Sequence, residues 1–159
     1  MEVLREMVLC RSIVPPSPHE LITTPEQFAR GTQAASTGRM VRILVVDDDP
    51  AVRSVVTDAL QQDGYQVDAA CNGQQALTSF AKHPPDAVVL DLEMPVMDGP
   101  TLVRTLRERT QWGAVPLMVV SAQSGLDQTG PRLGASACLS KPFDVGELLH
   151  TVERMAPQA

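Results

Sequence analysis

The chain has 159 residues, enough for one domain with a sizeable core, and 43% of them are hydrophobic, as in ordinary globular proteins. The net charge is −6, and residues 1–39 carry four acids and four arginines, so the acidic excess lies beyond them; without a basic patch, direct nucleic-acid binding is argued against. No apolar stretch approaches the ~20 residues of a membrane helix, and Cys10, Cys71 and Cys138 are too scattered for a disulfide framework or a zinc site, which points to a reducing cytosol.

Residues 1–39 read as an extension and not as a domain. Pro15, Pro16, Pro18 and Pro25 punctuate it, and Gly31 to Arg39 is a small polar linker. Val3, Leu4, Met7 and Val8 fall on one face of a short helix. An isolated helix of that length is marginal in water, so a disordered tail is expected. Glu2 and Glu6 are wrong for the start of a signal peptide.

From Met40 the pattern alternates strand and helix. Arg42 to Val46 is strand one, and Asp49-Pro50 caps a helix with Val52, Val55, Val56, Ala59 and Leu60 on its apolar stripe. Gly64 ends it, and Tyr65 to Ala69 is strand two. Gln74 to Lys82 is helix two, stopped by Pro84-Pro85. Asp86 to Leu90 is strand three, and Pro100 to Arg109 is helix three. Val115 to Val120 and Ser136 to Leu139 are strands four and five, and Asp144 with Glu147 opens the last helix as a capping box. Between them, Gln123 to Leu133 contains Gly125, Gly130 and Pro131. Proline in a helix interior costs about 3 kcal/mol and glycine about 1, so a short, frayed or absent helix four is expected. Strands alternating with helices imply a parallel sheet with right-handed crossovers.

Two of these strands end in acids: strand one in Asp47-Asp48-Asp49, strand three in Asp91. Ligands of open α/β sheets sit beyond the carboxyl ends of the strands. Acids gathered there repel one another unless a cation binds. Asp49 is the natural helix cap and not a ligand. Asp98-Gly99 reads as turn chemistry. His19, His83 and His150 have no carboxylate or cysteine at ligand spacing and receive no role.

Four blocks, Leu44-Val45-Val46-Asp47-Asp48-Asp49-Pro50, Leu90-Asp91-Leu92-Glu93-Met94-Pro95-Val96-Met97-Asp98-Gly99, Val120-Ser121-Ala122 and Lys141-Pro142-Phe143, stand in the order found in one family. Residues 40–159 resemble the receiver domain of bacterial two-component response regulators. The resemblance implies a flavodoxin-like doubly wound five-stranded parallel sheet in the order 2-1-3-4-5. It implies phosphoryl transfer to Asp91 from a histidine kinase or a histidine phosphotransfer protein, with Mg²⁺ as cofactor. Asp48, Asp91 and the backbone carbonyl of Glu93 would bind the metal, with Asp47 acting through water. Lys141 would pair with Asp91 and then with a phosphoryl oxygen, and Ser121 would donate its hydroxyl to another. The Lys141-Pro142 bond is expected to be cis. Helix three should carry Trp112 to the end of the sheet away from the acids.

Cys138 stands where such receivers usually carry an aromatic ring that turns inward on phosphorylation. It reads as a small buried hydrophobe, so signalling without that ring is expected. The final helix runs almost to Ala159, so the expectation is a stand-alone, cytoplasmic, phosphorylation-controlled module that acts through a downstream protein partner, with no attached output domain and no turnover activity. Two alternatives differ in class. A Mg²⁺-dependent phosphohydrolase of the haloacid-dehalogenase type also uses an Asp after a strand, but its D-x-D-x-[TV] pattern is not met by Asp47 to Ala51. A receiver-like module that binds without being phosphorylated would not need the intact acids and lysine.

Overall fold

The computed structural model describes residues 39–109 and 111–157. Apart from Arg39, the expected extension lies outside the described residues. Strands and helices alternate as β1 (Arg42–Val46), α1 (Pro50–Gln62), β2 (Gln66–Ala70), α2 (Gly73–Lys82), β3 (Ala87–Asp91), α3 (Gly99–Arg107), β4 (Leu117–Ser121), α4 (Leu126–Arg132), β5 (Ala137–Ser140) and α5 (Val145–Met155). The strands form one parallel sheet in the order β2-β1-β3-β4-β5, as expected.

The continuous apolar strands follow from burial on both faces. Side chains alternate across the sheet. Leu44, Val46, Val88, Leu90 and Val119 meet Ala76 and Phe80 of α2 and Leu102, Val103 and Leu106 of α3. Ile43, Val45, Val89, Met118 and Val120 point the other way, onto Val56 and Leu60 of α1 and Leu148 and Val152 of α5. Four of the five helix starts among the described residues are set by side-chain caps. The carboxylates of Asp49, Asp98 and Asp144 and the amide oxygen of Asn72 accept backbone N–H groups of the first turns.

β2, β3 and β5 each lie one residue later than the periodicity predicts. The shift matters at the site. Asp91 pairs with Val120 and Ser121 with Ser140, so both functional candidates are the last rungs of the ladder and not free loop residues. Helix four is short, at seven residues. It begins after Gly125, which is left-handed (φ 79°) and supplies no side-chain cap. The Lys141-Pro142 bond is cis.

Cys138 is exposed, contrary to the expected burial. β5 is an edge strand, with Ala137 and Leu139 facing the α1/α5 core. Cys138 points to the other face, where α4 passes over it at Gly130. A Cβ on Gly130 would lie 2.0 Å from the Cys138 sulfur, so the thiol fills a slot that only glycine leaves open.

Gly99 tightens the turn after β3. A Cβ there would stand 2.8 Å from the carbonyl oxygen of Asp91 and 2.8 Å from Cα of Leu92, both backbone atoms. Gly99→Ala should therefore lower stability by about 1–3 kcal/mol, the usual range for overpacking. Urea unfolding measures this, and a midpoint equal to wild type would show that the loop yields freely.

Candidate functional site

The strand order makes the site. The chain leaves β1 toward β2 on one side, and β3 lies on the other, so a crevice opens above their carboxyl ends. Carboxylate oxygens of Asp47, Asp48 and Asp91 all lie within 4.8 Å of one another there. Asp47 and Asp91 are buried (5% and 6% exposed), while Asp48 faces solvent. Asp49 is turned away as the α1 cap, accepting from the N–H groups of Ala51 and Val52.

Lys141 reaches in from the end of β5. Its Nζ donates to Asp47 Oδ2 at 2.7 Å and to Asp91 Oδ2 at 3.1 Å. Its backbone N–H donates to the carbonyl of Ser121 (2.9 Å), which ties the β5 end to the β4 end. Ser121 is fully buried, and its Oγ accepts from the Gln123 N–H at 3.2 Å. Glu93 is exposed. Its N–H donates to Asp91 Oδ1 at 3.4 Å, and its carboxylate accepts from the Gln123 side chain at 2.8 Å.

The loop from Leu92 to Asp98 is fixed at two points. Met97 seats on Gly73 at the start of α2, where a Cβ would fall 2.6 Å from Met97 Cγ, and Gly99 N–H donates to the Leu92 carbonyl (3.0 Å). Between them Val96 is left-handed (φ 72°) and 85% exposed, a strained place for a β-branched residue.

Two contributors escaped the sequence reading. Arg53, on the first turn of α1, donates to the carbonyls of Asp47 (2.6 Å) and Asp48 (3.3 Å) and holds the acid-bearing loop in place. A cation near a helix N-terminus opposes the helix dipole, and that anomaly was the available signal. Gln123 carried no signal, because its partner lies thirty residues away.

Burial pushes the Asp91 carboxyl above the usual carboxylate range and Asp47 adds to the rise, while the hydrogen bond and charge of Lys141 oppose it. Burial alone would lower Lys141, but its hydrogen bonds and ion pairs with Asp47 and Asp91 prevail and raise it. Three hard oxygen donors with one interposed ammonium suit a divalent cation of the Mg²⁺ type better than a soft metal. Trp112 stands apart from this chemistry. It packs on Phe80 (5.2 Å between ring centroids) and near Leu117, at the opposite end of β4 from Ser121.

The raised Asp91 value means that the folded state holds this proton more tightly than the unfolded chain. Ionised Asp91 then costs stability above its folded pKa, and the cost fades as pH falls through that value. Metal-free Asp91→Asn should melt above wild type at neutral pH, with the gap closing as the pH drops. A variant that melts below wild type at neutral pH would show that the Lys141 pair outweighs burial.

A family model for the response regulator receiver domain matches residues 43–153. The transcriptional regulatory protein PrrA of Mycobacterium tuberculosis is 40% identical over 116 residues, which are 72% of this chain and 49% of PrrA. The response regulator MprA of Mycolicibacterium vanbaalenii is 43% identical over 111 residues, 69% of this chain and 47% of that protein. The chain thus spans about half the length of the curated relatives it matches. Among solved structures, the chemotaxis response regulator CheY4 of Vibrio cholerae aligns with a TM-score of 0.69 and 34% identity, covering 74% of this chain and 99% of CheY4. The non-phosphorylated HemR receiver domain of Leptospira biflexa aligns at 0.67 and 30% identity, covering 75% of this chain and 96% of that one.

Proposed function

The chain belongs to the response regulator receiver family, and from that premise we propose that it is a signalling module, with residues 40–159 as the receiver, that accepts a phosphoryl group on Asp91. The observation that carries this reading is Asp91 at the end of β3, buried beside two further acids and 3.1 Å from the Lys141 ammonium. The donor is a phosphohistidine on a histidine kinase or a phosphotransfer protein. An Asp91 oxygen forms the new P–O bond while the P–N bond breaks. The electron pair leaves with the imidazole, which takes its proton from solvent.

The barrier is electrostatic, because an anionic donor approaches a cluster of anions. Asp48, Asp91 and the Glu93 backbone carbonyl would hold Mg²⁺, with Asp47 acting through water, and the ion would supply positive charge to the phosphoryl oxygens. Lys141 holds Asp91 by Oδ2, and Oδ1 accepts the long contact from Glu93 N–H. Once the group has transferred, the Lys141 ammonium follows the charge to a phosphoryl oxygen, and the Ser121 hydroxyl donates to another. Arg53 keeps Asp47 and Asp48 in place throughout.

The donor protein docks against the cleft between α1 and the start of α5. This cleft is lined by Val52, Val55 and Phe143 and shares Lys141 with the acid site, so a donor seated there presents its histidine to Asp91. Output is a protein contact that changes with the state of Asp91. The module is not a turnover enzyme. Its setting is the cytoplasm, which suits the free thiols of Cys71 and Cys138. No described helix is long and apolar enough to cross a membrane.

Labelled acetyl phosphate with Mg²⁺ should mark the wild type with an acid-stable, base-labile label. Asp91→Asn, or wild type in excess chelator, should lose it. Labelling retained in Asp91→Asn would place the acceptor elsewhere, and an unlabelled wild type would favour a binding module that is not phosphorylated. In Mg²⁺ titrations, Asp48→Ala should weaken affinity at least tenfold more than Asp49→Ala, since Asp49 is a cap. Equal losses would overturn the ligand assignment.

A further inference from the structure

The groups around Asp91 close into a ring of hydrogen bonds. Asp91 Oδ1 accepts from Glu93 N–H (3.4 Å), and Glu93 Oε1 accepts from Gln123 Nε2 (2.8 Å). Gln123 N–H donates to Ser121 Oγ (3.2 Å), and Ser121 O accepts from Lys141 N–H (2.9 Å). Lys141 Nζ returns to Asp91 Oδ2 (3.1 Å). Four of these links involve a backbone group or an ion pair of the site itself. The Glu93–Gln123 link is different, because it joins two side chains with no part in phosphoryl transfer, from the β3–α3 loop to the β4–α4 loop.

The geometry points to an autoinhibitory latch: the Glu93–Gln123 hydrogen bond closes the mouth of the acid site in the unphosphorylated chain and opens when Asp91 carries a phosphoryl group. This inference rests on Asp91 being the acceptor. A phosphoryl group on Asp91 brings several oxygens and added negative charge into the space between the two loops. The Glu93 carboxylate has the same sign and is repelled. The Ser121 hydroxyl, drawn toward the new oxygens, carries its bond to the Gln123 N–H with it. Both ends of the latch are pulled from opposite sides by one event.

What the latch restrains follows from the chain beyond it. Gln123 is two residues from Gly125, which is left-handed (φ 79°) with no atom within 4 Å of where its Cβ would be. α4 has no side-chain cap, and the buried Leu126 anchors its first turn. Release of Gln123 therefore loosens the lead into α4, on the face where Gly130 rides over Cys138.

Such a latch is broken in the phosphorylated state, so removing it favours that state. Beryllofluoride with Mg²⁺, a phosphoryl mimic, reads this directly. Gln123→Leu should bind it about threefold to tenfold more tightly than wild type, the range set by one net hydrogen bond. Affinity for Mg²⁺ alone should stay within twofold. In a Glu93→Ala background, which retains the backbone carbonyl, the same Gln123→Leu change should have no effect, because its partner is gone. All four proteins should melt cooperatively, with midpoints recorded beside the titrations. An equal gain in both backgrounds, or no gain in either, overturns the latch. A wild type that binds no beryllofluoride overturns the acceptor assignment and the latch with it.

Discussion

One ammonium group holds this site together. Lys141 stands between Asp47 and Asp91, 2.7 and 3.1 Å from their oxygens, and comes from β5, on the far side of β4 from β3. Without it, the three acids that meet at the mouth of one crevice would lose the ammonium that two of them share. Its reach depends on the sheet. The Ser121 carbonyl at the end of β4 fixes the Lys141 backbone, and the β3–β4 ladder fixes Asp91 against Val120. The doubly wound topology therefore does more than bury apolar surface. It brings three strand ends to one height so that a single cation can serve two carboxylates.

Much of this was legible in the residues. Apolar runs ending in acids gave the strands and their carboxyl ends, since a strand buried on both faces has no polar alternation to hide it. Asp49 and Asp144 gave the helix starts because a carboxylate before an apolar stripe has few other uses. The four family blocks gave the strand order, which periodicity alone leaves open. The legible part ended where contacts depend on three-dimensional approach. Arg53 received no role from the sequence, yet it braces two carbonyls of the acid loop. Glu93 was read for its backbone carbonyl, while its side chain is engaged thirty residues away.

Cys138 shows a different kind of failure. A small thiol on a strand reads as buried, and in a central strand it would be. β5 is an edge strand, and among the described residues a seven-residue helix is what crosses that face, so the residue stays exposed. Partial burial pushes its thiol pKa up, away from the reactive range. Helix four is short for the reason visible in its composition: Gly125 begins it without a side-chain cap, and Pro131 removes a donor near its end.

The sheet also divides the energetics of the molecule. Ile43 and Leu44 are covalent neighbours, yet one packs on α1 and α5 and the other on α2 and α3, with the backbone between them. Free-energy changes from truncating these two should sum almost independently. Leu44 and Phe80, far apart in the chain, line one core and should interact through the void that either leaves. Thermodynamic coupling in this fold thus follows the parity of a residue within its strand more closely than its distance along the chain.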